Sequence, residues 1–228
     1  MLMKIHSEWP LEREIGRKII HLLSLSYLVI YFVVSHYFSH KAALLALSGL
    51  LIVLIELEYV RIELKAKLPI LSYVWKRYRR RHEGKHLGGE IFFLFGTIIV
   101  LASFDLRIAV AAVLMTTFGD LVSSIGGKLG TLRIPRREFR SFEGMFAEFI
   151  VDVLVGFYVV RTLSGGSVWW LTWSDISGFP LWGVIIGMAF TATFVETIVT
   201  KLDDNLLIPL FSGFVGHALL VLLGYATF

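Results

Sequence analysis

Seven apolar stretches organise this chain: Ile19–Phe38, Ala42–Leu57, Gly89–Phe104, Leu106–Ile125, Met145–Leu163, Leu181–Val199 and Leu206–Phe228. A helix that crosses a bilayer needs about 20 mostly apolar residues, and these stretches approach or reach that length. With 56% of the 228 residues hydrophobic and a mean hydropathy of +0.74, water cannot cover so much apolar surface. Lipid must be part of the solvent, and only helices satisfy their own backbone hydrogen bonds segment by segment there. The expected fold is therefore an all-α integral membrane protein of about seven transmembrane helices, forming one domain over residues 1–228. The short link Phe104–Asp105–Leu106 predicts that the third and fourth spans form an antiparallel hairpin. The polar first fifteen residues do not read as a cleavable signal peptide. No internal repeat is visible. Without cysteine, the chain has neither disulfides nor thiolate metal sites.

Lys and Arg predict the orientation. With the N-terminus in the cytosol, nineteen of the 22 basic residues fall on the cytosolic side, and only Lys41, Arg107 and Arg161 fall outside. The C-terminus is then external, and Trp169, Trp170 and Trp173 sit at the outer interface, where indole rings are favoured. Residues 58–88 are too charged to span. Between Arg61 and Lys85 the sequence interleaves Tyr73, Trp75 and Tyr78 with Lys76, Arg77 and Arg79–Arg81. That pattern suits an amphipathic cytosolic segment lying on anionic lipid headgroups, and equally a topogenic loop. It does not suggest nucleic-acid binding, because anionic lipid is already beside it.

Ionisable residues within spans are costly, so each needs a reason. Three polar groups stand out. In the first, Asp120 lies near the inner end of span four and is followed by Ser123, Gly126, Gly127, Lys128 and Gly130. This reads as a glycine turn whose backbone could approach an anion, with a mobile cation beside it. It is not a Walker A loop, since Leu129 stands where Ser or Thr is required. The second group is Arg136, Arg137, Glu138, Arg140, Glu143 and Gly144, where guanidinium groups accompany carboxylates at the start of span five. Ordinary positive-inside charge would look the same. The third comprises Glu196 and the Lys201–Asn205 link, with Asp203, Asp204 and Asn205 as oxygen donors suited to a hard cation. A polar turn beside an interfacial Glu is the plainer alternative.

The orientation rests on Lys and Arg alone, yet it puts all three groups on one side together with Arg17, Lys18 and His21. Carboxylates, cations and a metal are the parts that phosphoryl transfer needs. His82-Glu83-Gly84-Lys85-His86 also matches the HExxH zinc-protease pattern, but Gly84, Gly88 and Gly89 disfavour the helix it requires. His36 and His40 share that spacing without a carboxylate.

At these residues the sequence resembles the CTP-dependent polyprenol kinase family, which includes dolichol, phytol and CTP-dependent diacylglycerol kinases. Arg17-Lys18-Ile19-Ile20-His21 resembles its R-K-x-x-H, and Gly119-Asp120 through Gly130 its G-D-x-x-A-S-x-x-G-x-x-x-G, with Ser123 in place of Ala. Arg140-Ser141-Phe142-Glu143-Gly144 resembles K-[ST]-x-E-G, with Arg for Lys, and Glu196 with Asp204-Asn205 and Pro209 resembles its E…D-N-x-x-x-P close. The resemblance implies transfer of the γ-phosphate of CTP to a lipid alcohol, with an isoprenoid alcohol expected. It implies Mg²⁺ held by Asp120, Glu196, Asp204 and Asn205. It also implies a nucleotide held by Arg17, Lys18, Ser123, Gly126, Gly127, Lys128, Gly130, Arg140, Glu143 and Gly144, with Asp120 or Asp204 taking the hydroxyl proton and His21 nearby. A cytidylyltransferase making a CDP-lipid is the nearest rival. A membrane zinc protease and a transporter are rivals of other classes.

Overall fold

A computed structural model describes residues 22–63, 87–134, 140–163, 179–199 and 202–224. Among them lie seven α-helices: α1 (Ser26–Tyr37), α2 (His40–Glu63), α3 (Gly89–Ser103), α4 (Leu106–Leu129), α5 (Phe142–Leu163), α6 (Phe179–Ile198) and α7 (Asp204–Leu222). Each falls on one of the seven apolar stretches, and the protein is an all-α membrane protein.

Length and charge separate the helices. Four are long and apolar enough to cross a bilayer: His40–Glu63, Leu106–Leu129, Leu181–Ile198 and Asp204–Leu222. The 12 residues of α1 and the 15 of α3 are shorter than a span requires. α5 has 22 residues but carries Glu143, Glu148, Asp152 and Arg161. Arg17, Lys18, His21, the Trp169–Trp173 cluster, Lys201 and the HExxH match all lie outside the described residues, as does most of the basic segment.

Several boundaries move outward from the sequence reading. α2 continues through Glu58 to Glu63, where the Arg61 guanidinium pairs with the Glu58 carboxylate at 2.5 Å one turn away. The basic segment therefore begins as helix. α4 runs four residues past Ile125, so Gly126, Gly127 and Lys128 are its last turn and not a glycine turn.

The chain divides into two compact units, Met1–Leu94 and Phe95–Phe228, with the division inside α3. In the first, α1 packs on α2 across the Phe38–Ser39 link, and the Tyr31 hydroxyl meets His40 Nδ1 at 2.7 Å. Ala43 and Leu47 are buried, whereas Leu45, Ile52 and Val53 on α2 are exposed. Such a face suits lipid.

In the second unit, α4 is the central element, packed against α5, α6 and α7. Its stretch Ile108–Val113 is buried almost completely. Asp105 caps its start, accepting the Arg107 backbone N–H at 2.9 Å, while the Asp105 N–H donates to His217 Nδ1 at 3.1 Å. Burial works against the Asp105 charge, but hydrogen bonds from Arg107 outweigh it and hold the carboxyl below its usual range. The α4–α5 seam is the tightest contact. A Cβ on Gly126 would come within 2.6 Å of Gly144 Cα, and one on Gly144 within 2.7 Å of Gly127 N. Small residues allow this backbone-to-backbone approach, a common device where lipid removes the hydrophobic drive for helix association.

Candidate active site

The geometry is set by the short return between α4 and α5. Arg133 and Ser141 form an isolated antiparallel bridge, with the Ile134 N–H donating to Arg140 O at 3.1 Å and the Phe142 N–H to Leu132 O at 2.9 Å. Ser141 then caps α5, its Oγ accepting the Gly144 N–H at 3.1 Å, the expected partner for an N-cap serine. The same Oγ donates to Gly126 O at 2.9 Å and ties the start of α5 to the end of α4.

Glu143 clamps the other side of this return. Its Oε1 accepts the Thr131 N–H at 2.8 Å, the Thr131 hydroxyl at 2.9 Å and the Leu132 N–H at 3.0 Å. Backbone donors, its own and those of Leu132 and Thr131, hold the exposed carboxyl down to about 2. Arg133 reaches back to Gly127 O. The Gly130 N–H donates to Gly126 O at 2.7 Å. The expected glycine turn at Gly126, Gly127 and Gly130 is therefore corrected to the end of a helix. Gly126 and Gly127 are helical residues that admit α5, and the Gly130 amide closes α4. Glu143 holds the loop.

With the return fixed, Arg140 extends across the mouth of the bundle. One guanidinium nitrogen contacts Glu196 Oε1 of α6 at 2.5 Å, and the other lies 3.5 Å from Asp204 Oδ2 of α7. Ser123 of α4 donates to the same Glu196 oxygen. Burial works against the charge on Arg140, but the Glu196, Asp120, Asp204 and Glu148 carboxylates outweigh it, and its pKa is raised. Side chains from α4, α5, α6 and α7 thus converge on one cation.

Asp204 opens α7. Asp203 caps it, with Oδ1 accepting the Asn205 N–H at 3.0 Å and Asn205 Nδ2 at 2.9 Å. Pro209 supplies no N–H, so the Asn205 carbonyl lacks its usual intrahelical donor.

Exposure falls steadily inward. The Asp204 side chain is 41% exposed, Arg140 19% and Glu196 1%. Buried as fully as Glu196 are two residues that sequence reasoning missed, Glu148 and Asp152 of α5, at 1% and 0%. Glu148 shares a carboxyl–carboxyl hydrogen bond with Glu196, and Asp152 interacts with Glu196 electrostatically. Among the described residues, neither Asp152 oxygen has a hydrogen-bond partner, nor does Glu148 Oε2.

Asp120 lies within electrostatic reach of Arg140 and Glu196. Lys128 ends the same helix. Asp120, Ser123, Arg140, Glu196 and Asp204, expected from the sequence, are thus brought together.

The donor set is all oxygen, which fits a hard cation such as Mg²⁺. Among the described residues, no three His, Cys, Asp or Glu side chains form a ready-made metal site. Magnesium commonly binds through one or two carboxylates plus substrate phosphates, so a cage is not required.

No family model matches the chain, and no solved structure matches it. A wheat (Triticum aestivum) protein described as "Probable phytol kinase, chloroplastic" is 29% identical over 136 residues. The match covers 56% of this chain and 44% of the wheat protein. This similarity supports a distant kinship with the polyprenol and phytol kinase family whose motifs the sequence resembles.

Proposed function

We propose that the chain is a lipid-alcohol kinase that transfers the γ-phosphate of CTP to the hydroxyl of an isoprenoid alcohol. The observation that carries this reading is the convergence of Asp120, Glu148, Glu196 and Asp204 on Arg140 at one end of a membrane helix bundle. In the reaction the alcohol oxygen attacks the γ-phosphorus, a new P–O bond forms, and the bond to the β-phosphate oxygen breaks. CDP leaves, and the hydroxyl proton passes to a carboxylate, which we assign to Asp120 in preference to the more exposed Asp204.

Phosphoryl transfer is catalysed chiefly by positioning and by cancelling charge. Arg140 is gripped closely by Glu196 but only loosely by Asp204, which leaves one edge of the guanidinium able to meet a phosphate oxygen. Ser123 fixes Glu196, and Glu196 fixes Arg140. Lys128, with Arg17 and Lys18 carried over from the family resemblance, adds positive charge around the phosphates. Asp120, Asp204 and Asn205 are the residues that would hold Mg²⁺, which supplies charge neutralisation to the triphosphate. The site faces the cytosol in this reading, and the basic segment after α2 rests on anionic headgroups.

Purified protein with CTP and Mg²⁺, offered phytol, geranylgeraniol, dolichol and diacylglycerol, with ATP and GTP as control donors, tests the proposal. The expected products are CDP and a lipid monophosphate. Pyrophosphate and a CDP-lipid would mark a cytidylyltransferase instead. Asp120→Asn is expected to lower turnover by about 100-fold or more, the scale of losing a positioned acid–base group, with the protein still monodisperse in detergent.

A further inference from the structure

Two acidic side chains of α5 lie beyond the Arg140 cluster's ion pairs. Glu148 and Asp152 are one turn apart on the face that carries Gly144, and both are buried within the bundle. The opposite face presents Phe146, Ile150, Leu154 and Tyr158, all exposed, as lipid-facing side chains should be. A buried carboxylate normally accepts hydrogen bonds, because leaving it unpaired forfeits its hydration without replacement. Among the described residues, both oxygens of Asp152 and Oε2 of Glu148 have none. An ionised carboxylate oxygen takes a partner that brings a hydrogen, a protonated one takes a partner that accepts, and an alcohol hydroxyl can do either.

We propose that Glu148 and Asp152 seat the hydroxyl of the membrane lipid alcohol, a deepening of the kinase reading on which it rests. The pair is joined to the polar cluster, since Glu148 hydrogen-bonds Glu196, which Arg140 and Ser123 hold. It is more completely buried than Arg140, within the apolar length of α5. Gly119 of α4 lies directly against the Asp152 carboxylate, and a Cβ there would come within 2.6 Å of Asp152 Oδ1. A hydroxyl at this seat donates its one hydrogen to Asp152 or Glu148 on binding, exchanges that hydrogen bond for one to Asp120 as transfer begins, and keeps lone pairs on its oxygen for attack. An ether or hydrocarbon of the same length offers no such proton. The seat therefore selects for an alcohol over other lipids of equal hydrophobicity.

Equilibrium binding tests this without turnover. Radiolabelled geranylgeraniol is titrated against the full chain in detergent, with geranylgeranyl methyl ether as the matched probe. The wild type is expected to prefer the alcohol by about 10- to 100-fold, the scale of a hydrogen bond to a charged group. Asp152→Asn and Glu148→Gln should each erode that preference while leaving ether binding unchanged. Gly119→Ala, which keeps both carboxylates but displaces Asp152, should do the same, and unchanged ether binding shows for each variant that the protein is folded. Equal wild-type affinity for alcohol and ether, as when ordered water fills the seat, would overturn the proposal, and so would an undiminished preference in the variants. If wild type prefers the alcohol but never phosphorylates it, the kinase reading falls while the seat stands.

Discussion

α2 and α4 are both 24 residues long and both apolar enough to cross a membrane, with hydropathies of 2.1 and 1.8. Yet only 11% of the apolar window of α2 is buried, against 61% of that of α4. Hydropathy therefore says that both can lie in a bilayer and not which one other helices surround. The distinction lies in the polar and small residues. α4 is enclosed most fully along its first half, where Ala109, Ala111 and Ala112 are small and Gly216 and Gly156 of its neighbours approach Ile108 and Met115, while Gly119, Gly126 and Gly127 admit α5 along the second. On α2, a Cβ added at Gly49 would meet nothing within 4 Å among the described residues, and the charges gather at the helix end.

Substitutions that strike the two helices in matched ways test this contrast. The largest effect is expected at the Arg140 cluster served by α4. Arg140→Ala strips the nearly buried Glu196 of its cation and should cost about 3–5 kcal/mol, the scale for breaking a buried ion pair, besides abolishing turnover. Arg61→Ala at the end of α2 should cost well under half of that in a chemical-denaturation series in detergent. Next come the glycines. Gly144→Ala drives a methyl into the backbone of α4 and should destabilise by about 1–3 kcal/mol, as overpacking does, whereas Gly49→Ala should leave the melting temperature unchanged or slightly raised.

Ser141→Ala removes the cap of α5 and its tie to Gly126, with an expected loss of about 1 kcal/mol. The smallest effect concerns Glu143. Because its folded pKa is lowered to about 2, its contribution is present above the ordinary carboxyl value near 4.5 and fades as pH falls from there toward 2. Thermal melts at pH 7 and pH 3 should show wild type and Glu143→Gln differing at the first and drawing together at the second.

The same contrast explains what the sequence could reveal. Apolar length located all seven helices, because burial in lipid is a property of a segment by itself. It did not locate their ends. Gly126 and Gly127 suggested a break, since isolated glycine disfavours helix. The close approach of Gly144 overrides that propensity, and α4 runs to Leu129. Motif residues Asp120, Ser123, Arg140, Glu196 and Asp204 were legible as a set because each is polar at the end of an apolar stretch. Glu148 and Asp152 were not, as they lie inside one. Their signal was the four-residue spacing Gly144, Glu148, Asp152, Gly156, which puts two small and two acidic residues on one helical face. The role of Glu143 as a loop clamp depends on where Thr131 and Leu132 fold back, which no local pattern announces.

The central claim is that the Arg140-centred cluster joins a nucleotide phosphate to a membrane alcohol. CTP labelled at either the α- or the γ-phosphorus, incubated with purified protein, Mg²⁺ and geranylgeraniol, tests it most directly. The γ label alone should enter the lipid, and Arg140→Ala should abolish this transfer. Entry of the α label into the lipid, or transfer undiminished in Arg140→Ala, would contradict it.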